Sequence, residues 1–513
     1  MGDYESSTDA DDTLSRARGA LADAFRQDVA ETVLPSPELI RHKRDKLHQT
    51  LPDGGLGISQ VTNHLDEDIV PALNTSSRSR NYYGFVTGGT TPAAALADNY
   101  VTLHDQNVQV RLPDETIATD VEDAALSLLC QLLGLDPCVW SHRTFTTGAT
   151  ASNVLGLACA REWTIARLAS MLGVPVGSVA DLGFVNLMRH VGVEDIQVLT
   201  TVPHSSLGKA ASIVGLGRLS VKDVGIRHGS HKFDMDKLER ALQAPRVASI
   251  VVISCGEVNT GFYATESFDE MKRIRDLCAR YDAWIHVDGA FGLLARILRG
   301  DSFRRVRESC AGIELADSIT GDGHKLLNVP YDCGFFLSRN IAVGLQVFQN
   351  ANAAYLQTAS QGILPMTPSP LDIGIENSRR FRALPVYSTL LTYGRTGYEA
   401  MLKRQVSLAR RIASLVCDHP EYELLPESSE AKETRLERIF IIVLFRAKDE
   451  TLNTQLVRRI NATRRMYVSG TSWASSPACR IAISNWRVDE KQDFIKVREV
   501  LDQVVRIYVQ SET

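Results

Sequence analysis

The sequence predicts an α/β protein with a mostly parallel central sheet in a large domain and a smaller C-terminal α+β domain. Two observations support this. From about Asp120 onward, helical patterns alternate with short β-branched runs, which is typical of parallel strands joined by helices. Beyond about residue 395, a long helical pattern leads to two apolar strands and an amphipathic helix. We therefore expect an N-terminal arm over residues 1–95, a large domain over 96–395 and a C-terminal domain over 396–513.

The elements follow from local patterns. DIQVLTTV, ASIVVISC, AWIHVD and ADSIT predict strands of the large domain. FDEMKRIRDLCARY carries apolar residues at three- and four-residue steps, which predicts a crossover helix between the second and third strands. QGILPMTPSPLDIG, residues 361–374, is Pro-rich and predicts a long loop, a candidate lid. IFIIVLF and CRIAIS predict strands of the C-terminal domain, and QDFIKVREVLDQVVRIY predicts its last helix.

Composition excludes several classes of protein. The net charge is −5 with acids and bases interspersed, which argues against a nucleic-acid partner. Nine cysteines without any CxxC spacing indicate reduced thiols, with neither a disulfide framework nor a metal site. Neither a signal-peptide pattern nor a long apolar window is present, so we expect a cytoplasmic protein without membrane contact. No G-x-G-x-x-G follows an early strand, which argues against a dinucleotide-binding enzyme.

Polar residues at strand ends are the first candidates for a site, because ligands bind at the carboxyl ends of parallel strands. TTGATASN precedes a predicted helix, and Gly148 with the free N–H groups of that helix start would suit a phosphate. Asp288 ends AWIHVD, and the small residues Gly289 and Ala290 follow it. Taken singly, the first segment is more often a capped helix and the second a capped turn.

Two further segments carry reactive side chains. His204 lies in PHSSLGKAA between a strand and a helix, and Lys325 lies in DSITGDGHKLLNVPYDCG after a strand. Alone, each is most simply a loop histidine or a solvated lysine. Leu326 and Leu327 suggest a sheltered, nucleophilic amine. Together the four segments provide a phosphate cradle, an aromatic ring, a carboxylate and an amine, which are the contacts that pyridoxal 5′-phosphate needs.

From about Tyr82 to its C-terminus, the chain resembles the group II pyridoxal-phosphate-dependent decarboxylases, the family of aromatic amino-acid and glutamate decarboxylases. HVDGAFG is similar to the family's HVDAA-type segment, and DSITGDGHKLLNVPYDCG to its DS-x(4–5)-HK…DCG block. PHSSLGKAA is similar to its HSS…KA segment, and SRRFRAL to its RRFR segment. The resemblance implies the fold type I of pyridoxal-phosphate enzymes, a homodimer, and decarboxylation of an L-amino acid with release of CO2.

The resemblance also implies residue roles. Lys325 would form the internal aldimine with the cofactor, Asp288 would pair with its pyridine nitrogen, and His204 would stack on its ring. These three residues form the implied catalytic set. Further implied cofactor-binding residues are Gly148, Ala149, Thr150, Asn259, Ala290 and His324. The segments implied to line the substrate pocket contain Tyr83, Phe85, Thr87 and Asn107, and the first two favour an aromatic substrate, which needs an apolar pocket wall.

One segment departs from the family's pattern. Many members carry a tyrosine shortly before RRFR that protonates the α-carbon after CO2 leaves, whereas ILPMTPSPLDIGIEN contains no Tyr, Phe or His. Tyr355 and His204 are the other donors that the sequence offers. Three alternatives to simple amine formation therefore stay open: oxidative decarboxylation to an aldehyde, carbon–carbon bond cleavage, and a non-catalytic dimeric relative.

Overall fold

The computed structural model describes residues 32–227, 230–350 and 367–512, together with residues 15 and 19. Tyr355 and residues 361–366 of the predicted loop lie outside this range. The described part of that loop contains a short 3-10 turn at Pro370–Asp372. None of the helices in the described ranges is both long enough and apolar enough to cross a membrane.

The strands form two sheets. In chain order they are β1 (Tyr82–Tyr83), β2 (His142–Thr146), β3 (Asp195–Thr200), β4 (Val221–Asp223), β5 (Val247–Ser254), β6 (Trp284–Asp288), β7 (Ser318–Asp322), β8 (Gly334–Ser338), β9 (Tyr422–Leu425), β10 (Ile442–Ala447), β11 (Tyr467–Trp473) and β12 (Ser476–Ala482). The large sheet has the order β2-β8-β7-β6-β5-β3-β4. Strands β7, β6, β5, β3 and β4 are parallel, and β8 runs antiparallel to both β7 and β2.

Helices cover the large sheet and the C-terminal sheet. In chain order they are α1 (Pro37–Arg44), α2 (Gly57–His64), α3 (Pro92–His104), α4 (Ala118–Leu133), α5 (Ala149–Leu172), α6 (Val179–Leu182), α7 (Phe184–Val191), α8 (Ser205–Ile213), α9 (Met235–Leu242), α10 (Phe268–Arg280), α11 (Arg304–Glu308), α12 (Gly323–Leu326), α13 (Ile341–Phe348), α14 (Ala383–Asp418), α15 (Lys432–Arg438), α16 (Glu450–Ala462) and α17 (Glu490–Glu512). The predicted strand–helix–strand unit is present as β5, α10 and β6.

Helix α10 shows how the apolar sequence pattern corresponds to a buried helix face. Ser267 caps it by accepting the Glu270 N–H, and the helix buries Met271, Ile274 and Cys278. Phe268, at the first turn, is 42% exposed and does not join this buried face. The buried apolar stripe therefore begins at Met271, one turn later than the sequence pattern predicts.

The C-terminal sheet includes one strand, β1, from the N-terminal region. Its order is β1-β11-β12-β10-β9, with β1 parallel to β11 and the other pairs antiparallel. Tyr82 of β1 stacks on Tyr467 of β11 with ring centroids 4.6 Å apart. Helix α14 crosses the predicted boundary near residue 395, and its backbone leaves helical geometry at Gly394, where φ is 54°. Part of the predicted arm thus completes a distant sheet.

Helix α5 packs so tightly on the large sheet that one position must be glycine. A Cβ atom on Gly156 would lie 2.5 Å from Cε1 of His286, a fully buried residue of β6. A contact this short forces the helix or the imidazole to move. Gly208, in helix α8, differs because its Cβ would meet nothing closer than Cγ of Arg218 at 4.0 Å.

We expect Gly156→Ala to lower the free energy of unfolding by about 1–3 kcal/mol, the usual cost of overpacking a rigid core. Gly208→Ala is the matched control, and it should be neutral or stabilising by about 0.5–1 kcal/mol because alanine favours helices. Thermal and urea unfolding of both variants measure this difference. Equal stability of the two variants would contradict the close packing of α5 on β6.

Candidate active site

A cavity of about 350 Å³ lies where the carboxyl ends of β5, β6 and β7 meet the start of α5. This is the position at which parallel sheets bind ligands. The lining residues are Val86, Thr147, Gly148, Ala149, Thr150, Ala151, His204, Ser206, Ser254, Gly256, Val258, Asp288, Ala290, Phe291, Asp322, His324 and Lys325. The cavity therefore brings together every residue predicted to contact the cofactor except Asn259.

One wall of the cavity is the start of helix α5, whose N-cap residue makes no side-chain hydrogen bond. Gly148 occupies the N-cap position, where it has no side chain to accept the first N–H groups. A Cβ on Gly334 of β8 would lie 2.5 Å from Gly148 Cα, so two backbones approach closely here. Among the described residues, the N–H groups of Thr150 and Ala151 have no acceptor. These groups and the helix dipole favour an anion at this wall.

Lys325 reaches the same space from the short helix α12. Its Nζ lies 2.8 Å from Asp322 Oδ2 and 5.8 Å from the ring centroid of Phe291. Leu326 and Leu327 are both buried, as the predicted sheltered amine requires. Asp322 was not among the predicted site residues, although it ends a buried strand three positions before the lysine, as Asp288 ends the neighbouring strand.

Asp288 is held by two hydrogen bonds. Its Oδ2 accepts from Asn153 Nδ2 at 3.0 Å, and its Oδ1 accepts from the Ala290 N–H at 3.3 Å. Asn153 Oδ1 in turn lies 2.9 Å from His286 Nε2. Because an amide oxygen only accepts, the imidazole must donate from Nε2. Asn153, which sequence analysis passed over inside TTGATASN, therefore orients the carboxylate.

The proton on His286 is set by its surroundings. Burial lowers the pKa of His286 to about 4, so the ring is neutral near pH 7. With the proton on Nε2, its Nδ1 accepts from the Ser318 hydroxyl, 2.8 Å away. Ser318 Oγ accepts from Trp284 Nε1 at 2.8 Å. A directional chain of hydrogen bonds thus runs from the sheet interior through Asn153 to Asp288.

His204 lies at the N-cap of α8. Its Nδ1 accepts from the Ser206 N–H at 3.1 Å and lies 2.7 Å from Ser206 Oγ, which also accepts from Asn153. Burial lowers the pKa of His204, and Asp288 opposes this effect. The ring is therefore neutral near pH 7, with its proton on Nε2, because Nδ1 acts as an acceptor.

Two other ionisable groups act at the cavity, and of these only His324 lines it. Burial lowers the pKa of His324, whose ring centroid lies 4.4 Å from that of Tyr331. Arg480 of β12 is 6% exposed, its Nε has no partner among the described residues, and its charge acts to lower the pKa of His204. Burial also lowers the pKa of Arg480 to about 10. A charged residue inside the apolar run CRIAIS was the signal for it in the sequence.

The predicted substrate residues do not line this cavity. Tyr83 is 1% exposed within the C-terminal core, and its hydroxyl accepts from Asn81 Nδ2. Phe85 is 62% exposed, and the Thr87 hydroxyl donates to the Gly84 carbonyl at 3.3 Å. Val86, between them, is the residue of this segment that reaches the cavity.

Asn107 and Asn259 also point elsewhere. Asn107 Nδ2 donates to Ser378 Oγ at 3.3 Å, beside the SRRFRAL segment. Asn259 Oδ1 accepts from the Thr471 hydroxyl at 2.7 Å, which ties its loop to β11, and its neighbour Val258 lines the cavity instead. One residue along a loop is enough to reverse the direction of a side chain.

The residues present fit pyridoxal phosphate. The cavity volume lies in the usual range for small ligands. Unpaired N–H groups at the start of α5 suit a phosphate, and the carboxylate of Asp288 suits a cationic ring nitrogen. The amine of Lys325 suits an aldehyde.

Comparison with solved structures agrees with this fold. A structure of Oryza sativa TDC with PLP and tryptamine superimposes with a TM-score of 0.80 at 21% identity, covering 99% of this chain and 100% of the other. The Rhodiola rosea 4-hydroxyphenylacetaldehyde synthase superimposes with a TM-score of 0.76 at 19% identity, covering 98% of each chain. These likenesses confirm the predicted fold type I.

Sequence comparison gives the family. An Acinetobacter baumannii L-2,4-diaminobutyrate decarboxylase is 29% identical over 325 residues, which are 62% of this chain and 58% of that protein. The model of the pyridoxal-dependent decarboxylase conserved domain matches residues 41–436. This match confirms the predicted pyridoxal-phosphate cofactor and the carboxy-lyase class. The chain belongs to the group II pyridoxal-dependent decarboxylases.

Proposed function

We propose that this protein decarboxylates an L-amino acid to CO2 and the corresponding amine, with its cofactor linked to Lys325. The observation that carries the proposal is the single cavity shared by the Lys325 amine, the Asp288 carboxylate, His204 and the start of α5. An idle scaffold has no physical need to bring an amine, a carboxylate and an imidazole together at one helix start.

The chain's residues divide the work of holding the cofactor. Gly148, Ala149 and Thr150 would border its phosphate, with His324 beside them, and the free N–H groups at this helix start would bind it. Asp288 would pair with the ring nitrogen, and Ala290 would leave room beneath a flat ring. When bound, pyridoxal phosphate supplies an electron sink for the pair left at Cα after CO2 departs.

Asp288 keeps the ring nitrogen protonated, and its own orientation depends on Asn153. A carboxylate near a ring nitrogen raises the proton affinity of that nitrogen. The Asn153 amide can donate to Asp288 because its oxygen is engaged by His286, so the amide cannot flip without losing both bonds. The positive charge of Arg480 acts on His204, which lines the cavity.

His204 is the proton donor that we propose for Cα among the described residues. It lines the cavity with Nε2–H free of the Ser206 contacts, which engage only Nδ1. A neutral imidazole is a weak acid near pH 7, so delivery of this proton is slow compared with donation by a protonated ring.

Aldehyde formation is the second candidate. A slow proton donor leaves the electron pair at Cα available to O2, and the loop segment ILPMTPSPLDIGIEN offers no Tyr, Phe or His. That reaction consumes one O2 and one water for each amino acid, and it releases an aldehyde, CO2, ammonia and H2O2. The likeness to a 4-hydroxyphenylacetaldehyde synthase is consistent with this outcome.

A homodimer is proposed as the working form. Leu96, Tyr100 and Leu103 are 56%, 50% and 64% exposed, and their spacing places them on one face of α3. An exposed apolar stripe of this kind marks an interface with another protein surface. A cytoplasmic location is proposed as well, because all nine cysteines are free thiols; enrichment in a secreted fraction would contradict it.

The function is tested by incubating the cofactor-loaded protein with a panel of L-amino acids and identifying the products by mass. We expect CO2 and an amine from at least one substrate, and no product from the Lys325→Ala variant. Lys209→Ala, a change outside the cavity, is the matched control and should retain activity. An aldehyde with H2O2 would select the second candidate, and products without CO2 would contradict decarboxylation.

Asp288→Asn should retain bound cofactor but lower kcat by about 10²- to 10³-fold, because an amide cannot hold a proton on the ring nitrogen. Cofactor content is read from absorbance and kcat from CO2 release. Asp301→Asn, at an exposed position, is the control and should behave as the wild type. Full activity of Asp288→Asn would contradict the proposed role of this carboxylate.

The dimer is tested by light scattering. We expect a mass of about twice the 56.5 kDa of one chain. Leu96→Glu combined with Leu103→Glu should shift the protein to monomer, because two charges cannot be desolvated in an apolar contact. A double variant that remains dimeric would place the interface elsewhere.

A further inference from the structure

One carboxylate lies at the helix start where the cofactor's phosphate is proposed to bind. Asp322 Oδ1 accepts from the Ala149 N–H at 2.6 Å, at the first residue of α5. Its Oδ2 lies 2.8 Å from Lys325 Nζ. The residue is 5% exposed, so both contacts are made away from bulk water. Asp322 therefore bridges the anion-binding helix start and the lysine amine.

The first of these contacts opposes phosphate binding. A phosphate held by the free N–H groups of Thr150 and Ala151 would lie close to an ionised Asp322 on the Ala149 N–H, and two anions at one helix start repel each other. Position 148 is glycine, so no side chain at this position shields the phosphate site from the carboxylate. A Cβ atom there would lie 3.5 Å from Asp322 Oδ1. The carboxylate must either move away or lose its charge.

The second contact opposes reaction at the amine. An ion pair with Asp322 stabilises the protonated form of Lys325, whereas joining an amine to an aldehyde requires the neutral form. A proton that moves from Lys325 Nζ to Asp322 Oδ2 removes both obstacles at once. The amine lone pair then forms the new C–N bond, and the aldehyde oxygen leaves as water with the two remaining amine protons. The neutral carboxyl donates a hydrogen bond to phosphate where the carboxylate repelled it.

We infer, resting on the proposed role of Lys325, that Asp322 is a positioning residue with two roles. It occupies the start of α5 before the cofactor binds, and it accepts the proton that Lys325 loses when the cofactor binds. Cofactor capture by the wild type is then an internal proton transfer. Without Asp322 the lysine proton passes to solvent, and capture becomes favoured by rising pH.

Other titratable groups act on Asp322, so a test must compare two proteins in which the effects of these groups are the same. They are His204, His324, Lys325, Tyr331 and Cys333, which belong to the elements packed around the carboxylate. A comparison of wild type with a variant at position 322 keeps all of them constant. The pH dependence of the ratio of the two dissociation constants therefore reports on Asp322.

The experiment is a titration of apo protein with pyridoxal phosphate between pH 6.5 and 8.5, followed by the absorbance of lysine-linked cofactor. We expect the dissociation constant of wild type divided by that of Asp322→Asn to rise with pH, by up to tenfold per pH unit for one coupled proton. Asp301→Asn should give a ratio of one throughout. A ratio for Asp322→Asn that does not change with pH would overturn the inference and leave Asp322 as a structural support.

Two further variants keep the result interpretable. If Asp322→Asn does not fold, Asp322→Ser serves in its place, because serine is neutral, small and unable to take the lysine proton. Lys325→Ala distinguishes this inference from the proposed function. If that variant still shows lysine-linked absorbance, the proposed function itself fails; if the absorbance is lost while the ratio stays flat, only the inference about Asp322 fails.

Discussion

The hydrogen bonds of Asn153 connect the parts of the molecule on which the active site depends. Its oxygen accepts from His286 in the middle of the sheet, and its amide donates to Asp288 and to Ser206. One side chain of α5 thus sets the carboxylate at one strand end and, through Ser206, the imidazole of His204. This is possible only because α5 lies directly on the sheet, and a glycine at position 156 permits that approach.

A second set of close contacts fixes the backbone that carries Lys325. Asn328 Nδ2 donates to the carbonyls of Gly88 and Ser484, at 2.7 and 3.1 Å. It therefore joins the N-terminal segment that follows β1, the loop that follows Lys325 and the C-terminal domain. A Cβ on Gly88 would lie 1.7 Å from the Lys325 carbonyl oxygen. The N-terminal segment therefore packs against the lysine backbone, and the position of the amine depends on three distant stretches of sequence.

Much of the fold could be predicted because its strands are short apolar runs separated by amphipathic helices. The four predicted strands of the large sheet and the helix α10 are all present. The two-residue strand β1 could not be predicted, since a pair of tyrosines has no periodicity, and its partner β11 lies almost 400 residues away. Tyr83 was expected in a substrate pocket because of the family resemblance, and the side chain contributes to the C-terminal core.

By itself, the sequence determined which chemical groups are available and the strand ends at which they occur, because strand ends and helix starts are read from local patterns. Lys325, Asp288, His204 and the start of α5 were recognisable on that basis. Only the tertiary structure decided that these groups share one cavity, that Val258 rather than Asn259 faces it, and that Asp322 bridges Ala149 and Lys325. Side-chain direction and contact across 173 residues of chain depend on packing, and packing is a property of the whole fold.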